Sequence, residues 1–144
     1  MRKFDRGGAA VSFELADDGI VCASIGGLLL PANAGAVSSQ LLESTTDVAA
    51  VGVLCSVQKA LVALPPIEAQ HYRYVPPELR AVPVAVVVLP EQLAVYANIA
   101  QEAARAGTMR RAFLSREQAQ AWLREQARAL VANRDWWSGN RSPP

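Results

Sequence analysis

The chain reads as a single α/β domain, a mixed sheet of about five strands carrying four helices and entered through an antiparallel hairpin. Three observations predict this. Before Gly27 the apolar residues alternate as they do in half-buried strands. After it, short β-branched runs trade places with stretches whose apolar residues recur at helical spacing. Glycine or proline stands at most of the switches. A length of 144 residues suits one domain, expected over residues 11–133, with a flexible N-terminus at 1–10 and a tail at 134–144.

Val11, Phe13 and Leu15 make the first alternating run, and Ile20, Cys22 and Ile25 the second. Asp17-Asp18-Gly19 supplies turn chemistry between them, because glycine adopts the positive φ that tight turns demand. Val37, Leu41 and Ser44 then share a helical face, with Asn33 as its expected cap. Val48 to Cys55 has the continuous apolar character of a strand covered on both faces. Val57, Ala60, Leu61 and Leu64 form a stripe at helical spacing, which predicts a short helix capped by Ser56 and stopped by Pro65-Pro66.

Residues 65–83 hold five of the nine prolines, two of the three tyrosines and the only histidine, and predict an irregular connection. Val84 to Leu89 is the most apolar run and reads as a central strand. Pro90-Glu91 opens a helix through Ala106 with Leu93, Tyr96, Ile99 and Ala103 inward, and Gly107 suits its C-terminal end. Arg111 to Leu114 is a short strand. Ser115 and Gln118 have the spacing of a capping box. The last helix turns Ala119, Trp122, Leu123, Ala127, Leu130 and Val131 inward, and periodicity fades from Asn133.

Composition narrows the function classes. A net charge of +1 gives no strong field for nucleic acid or an anionic membrane. Cys22 and Cys55 lie inside apolar runs and read as buried free thiols. No Cys-x-x-Cys pair, P-loop, Gly-x-Gly-x-x-Gly or Gly-x-Ser-x-Gly motif is present, and one histidine with two separated cysteines makes a poor metal site. No cofactor is expected. The first residues are basic without an apolar stretch behind them, so the expected compartment is the cytoplasm, with no membrane-spanning segment.

The element order resembles the STAS fold, and within it the SpoIIAA-like branch, through three stretches. They are Val84-Ala85-Val86-Val87-Val88-Leu89-Pro90-Glu91, the run from Gly107 to Ser115, and Glu117-Gln118-Ala119-Gln120-Ala121-Trp122-Leu123. The resemblance implies a binding or regulatory module without catalysis. Phosphoregulated members carry an Asp-Ser pair and a following glycine where this chain has Leu54-Cys55-Ser56-Val57. Ser56 would occupy the acceptor place, but the aspartate and glycine are missing and a plain cap explains the serine.

His71-Tyr72-Arg73-Tyr74 is the cluster that mixes titratable, aromatic and cationic groups, and it reads as the ligand or partner contact. Arginine pairs with carboxylate or phosphate, while tyrosines offer flat apolar faces to a small amphipathic ligand or a protein. Alternatively, the tyrosines lie on the core and Arg73 faces solvent. Trp136-Trp137 either folds back on the last helix, within the protein or a homodimer, or presents a patch to a partner. A structural subunit of a larger assembly is the alternative function. A small enzyme using Ser56 or His71 is a weaker one, since nothing supplies a base, an orienting group and an oxyanion hole together. The double change Tyr72→Ala and Arg73→Ala should leave the melting temperature nearly intact and abolish ligand or partner binding. Unfolding of that variant would place the tyrosine in the core.

Overall fold

The computed structural model describes residues 2–48, 50–63, 82–105, 107 and 109–140. Among these, six strands form one sheet in sequence order: β1 (Arg2–Arg6), β2 (Ala9–Leu15), β3 (Ile20–Leu29), β4 (Gly52–Val62), β5 (Val84–Val87) and β6 (Arg110–Phe113). β1, β2 and β3 are an antiparallel meander, whereas β3–β4, β4–β5 and β5–β6 pair in parallel. Among the described residues three helices accompany them: α1 (Pro31–Asp47), α2 (Leu93–Arg105), entered through a 3-10 turn at Pro90–Gln92, and α3 (Arg116–Asn140). The fold is thus the mixed α/β sheet expected, with one strand more and one helix fewer among the described residues.

The layers follow from handedness. Right-handed crossovers in a sheet that grows in one direction put their helices on the same face. Ala34, Val37 and Leu41 of α1 and Tyr96 and Ile99 of α2 accordingly share one core with Val11, Val21, Ile25, Val53, Cys55, Val57 and Val86. α3 closes the opposite face, where Ala119 and Leu123 pack on Ile20, Leu54, Ala85, Val87 and Phe113. Leu123 is fully buried and anchors this side. Trp122 is only half-buried, its ring 5.6 Å from that of Phe113.

Two departures from the sequence reading have clear causes. The N-terminal residues expected to be flexible form β1, joined to β2 by Gly7-Gly8 with φ of 58° and 97°, the left-handed pair that two-residue hairpins favour. Its charges hid the strand: only Phe4 packs inward, 6.1 Å from Phe13, and charged side chains belong on an exposed sheet edge. The helix expected after Ser56 is instead the second half of β4. Ser56 pairs with Ser24 and Val87 in mid-strand and caps nothing. The register slips between Ser24–Ser56 and Gly26–Lys59, so β4 carries an extra residue there. Val57 and Ala60, three apart, are therefore both buried on one face, and that spacing imitates a helix.

Two prolyl turns lock the helices to the sheet by the same device. Leu30-Pro31-Ala32-Asn33 and Leu89-Pro90-Glu91-Gln92 each place proline in the first turn and a buried amide two residues on. Asn33, expected as the cap, lies inside α1: its Oδ1 accepts from the Leu30 N–H at 2.8 Å. Its Nδ2 donates to the carbonyls of Gly7 (3.1 Å) and Leu28 (2.8 Å). Gln92 Oε1 accepts from the Leu89 N–H at 2.9 Å, and Nε2 donates to the Val57 and Ala60 carbonyls, both at 3.0 Å.

Elsewhere the expected caps hold. Gly107 N–H bonds the Ala104 carbonyl past the end of α2, and Gln118 N–H donates to Ser115 Oγ at the start of α3. α3 continues to Asn140, beyond the point where periodicity fades. Replacing Gln92 with leucine would strip partners from the Leu89 N–H and two carbonyls. It should lower the unfolding free energy by about 3 kcal/mol. The check is the urea midpoint at unchanged m-value; an unshifted midpoint would mean that water replaces the amide.

Candidate functional site

The seam between α1 and α2 is the site candidate. Where the two helices part over the sheet, a cavity of about 70 Å³ is lined by Ile25, Leu29, Val37, Val57 and Val86, with Cys55, Tyr96 and Arg110 as its polar members. β4 and β5 supply the apolar floor, since residues Cys55, Val57, Val84 and Val86 alternate toward it. α2 brings Tyr96, which the sequence places on the inner face and which is indeed buried. β6 brings Arg110 at its first position.

Arg110 is the chemical centre. By accessible surface it is half-buried, yet the protein packed around its guanidinium is dense enough that burial lowers its pKa. Cys55 and Tyr96 are the groups that oppose this shift, and no carboxylate contributes. Burial also pushes the Cys55 thiol up to about 12, with Arg110 pulling weakly the other way. A thiol so suppressed is neither a nucleophile nor a metal ligand at neutral pH. Cys22, half-buried on the α3 face, is raised by burial too, an effect that Arg116 opposes. Both cysteines are free, as their apolar settings predict.

The other sequence candidates lie away from this seam. Ser56 faces the α3 side of the sheet, opposite Ser24, so the arrangement expected of an acceptor at a helix N-terminus does not exist there. His71, Tyr72, Arg73 and Tyr74 lie outside the described residues. Trp136 and Trp137 fall on the backbone of α3. Asp17-Asp18 is turn chemistry, with Asp18 Oδ1 accepting from the Ile20 N–H at 3.2 Å. Among the described residues no group of His, Cys, Asp and Glu is arranged to hold a metal, and no helix is long and apolar enough to cross a membrane.

Sequence reasoning did not single out Arg110. Its signal is a cation at the first inward position of a strand whose next inward residue is alanine. Reading it requires knowing that the strand begins at 110 and which parity faces α2.

Comparison with known proteins adds one observation. The fold is similar to that of an uncharacterised DUF3478-family protein from Shewanella loihica, with 17% identity and a TM-score of 0.49, covering 85% of this chain and 98% of that one. That neighbour has a SpoIIAA-like fold. No family model and no curated protein matches the chain.

The electrostatics predict thiol behaviour. At pH 8 iodoacetamide should modify Cys22 slowly and leave Cys55 untouched until the protein unfolds. Because folding raises the Cys55 pKa from 9.0 to about 12, its stabilising contribution is complete below pH 9 and is lost as pH rises toward 12. Denaturation midpoints across pH 8 to 11 should therefore fall more steeply for wild type than for Cys55→Ala.

Proposed function

We propose that the chain is a non-catalytic binding module whose seam cavity takes the apolar end of a small amphipathic anion, with Arg110 as the anion's partner. One observation carries the reading: an arginine at an apolar cavity that no carboxylate among the described residues neutralises. Burying a cation without a counter-ion costs stability, so such a group fits best where a ligand supplies the missing charge. Arginine also matches carboxylate geometry through two parallel N–H donors. Binding is favoured over turnover because the lining polar groups are a cation, a phenol and a thiol held protonated, which offer no nucleophile–base pair.

The cavity sets the ligand's size. Its volume is about half the ~150 Å³ that holds benzene in an engineered core, which leaves room for a few carbons. A short alkyl carboxylate is the simplest probe. Butyrate should raise the melting temperature of the wild type, and 1-butanol at the same concentration should not. Arg110→Met should stabilise the ligand-free protein by about 1 kcal/mol, since it removes a partly desolvated charge that keeps some solvent contact. It should also abolish the butyrate increment. Equal increments in both proteins, or none in either, would reject the reading.

A further inference from the structure

β6 ends the sheet, and its outer edge is unpaired among the described residues. Parallel pairing turns the hydrogen-bonding groups of alternate residues toward β5, as the Met109 carbonyl accepting from Val84 and the Phe113 carbonyl from Val88 show. Residues 109, 111 and 113 therefore face inward along the sheet, and Arg110 and Ala112 carry N–H and C=O groups that face away. Beside this edge runs an open groove of about 600 Å³ between β6 and α2, floored by Ala94, Ala97, Gln101 and Ala112 with Arg110 at its side. That size takes a peptide segment and exceeds what an ion needs. On the opposite face of β6, Arg111 is exposed, its guanidinium 5.2 Å above the Phe113 ring.

Charge decides the occupant. A second copy would pair β6 with β6 or with β1. The first brings two pairs of arginines together, and the second sets Arg110 and Arg111 against a strand carrying Arg2, Lys3 and Arg6 with only Asp5 to offset them. Like charges across a strand pair are destabilising. We propose that the β6–α2 groove is a docking edge for an extended acidic segment of a partner protein, which adds a seventh strand beside β6. Because strand side chains alternate, the segment that fits places small apolar residues over the alanines of α2 and carboxylates beside Arg111. This inference does not rest on the seam cavity, since Arg111 and Ala112 do not line it.

The test uses the full chain and a capped, fluorescein-labelled (Glu-Val)₄ peptide, with (Lys-Val)₄ as its charge-reversed counterpart. Anisotropy should show binding of the acidic peptide at least tenfold tighter than the basic one, and Arg111→Glu should reverse that order. Hydrogen exchange at saturating peptide should slow at least tenfold for the Arg110 and Ala112 amides. Ala112→Pro removes an outward N–H at a sheet edge, where proline is tolerated. It should abolish binding while leaving far-ultraviolet circular dichroism and the butyrate response unchanged. If Ala112→Pro unfolds, Arg111→Glu, a surface change, still decides. Binding indifferent to peptide charge, binding that leaves both amides exchanging freely, no binding at millimolar peptide, or a dimer that protects those amides without peptide would each overturn the proposal.

Discussion

β4 outgrows its neighbour, and the rest of the architecture accommodates that mismatch. β3 accompanies β4 as far as Val62, but β5 stops opposite Ser56. Past that point one edge of β4 would leave carbonyls buried beneath α2 without partners, which the interior does not tolerate. Gln92 resolves this by donating to the carbonyls of Val57, within the register slip, and Ala60, just beyond it. The same side chain accepts the Leu89 N–H and so starts α2. One amide therefore ties the slipped stretch of β4 to the start of α2. Asn33 does the equivalent at the other end of the layer, tying the start of α1 to the Gly7 turn and the end of β3. With both helix starts pinned, the seam between them is set by the sheet and not by how closely α1 and α2 would choose to pack.

The sequence is most legible where one element obeys one period. The β2–β3 hairpin, the inward face of α2 and the capped start of α3 all belong to that kind, and each stands where Phe13, Ile99 and Ser115 place it. It misleads where two rules overlap. A bulge converts the two-residue step of a strand into a three-residue step, so Val57 and Ala60 read as a helix although both point into one sheet face. Edge strands mislead in the other direction. β1 carries four charged residues in five, a pattern that suggests a loose terminus, while the Gly7-Gly8 pair after it is the local mark of a hairpin. Gly27, opposite Ala9, fits the same design: with φ of 77° it lies so close to the Gly8 carbonyl that a Cβ there would collide with it.

The candidate site was less legible than the fold, and for a reason of register. Ser56 attracts notice because a serine before an apolar stripe resembles a cap, but its role follows from the strand around it. Arg110 sits in the run from Gly107 to Ser115 that carries part of the family resemblance, and nothing local separates it from Arg111. One residue of offset divides their environments. Both border the groove, but Arg110 alone lines the seam cavity, whereas the Arg111 guanidinium lies over the Phe113 ring. Periodicity of two assigns opposite faces to neighbours, but only tertiary structure says which face is which.

Buried polarity in this domain divides into two kinds, and the division is what marks the seam as a site. Asn33, Gln92, Ser44 and Thr45 are buried, and each has partners: the two amides bond backbone groups of other elements, and the two hydroxyls donate to carbonyls one turn back in α1. These groups specify structure, and their hydrogen bonds offset the desolvation they incur. Arg110 differs in kind. Desolvation dominates its electrostatics, and the groups that answer it are a thiol and a phenol, neither charged at neutral pH. A structural role would be filled more cheaply by methionine or leucine, which pack the same stem without the charge. The surplus is a positive charge held at an apolar cavity, and that surface gains from an anion that brings the complementary one.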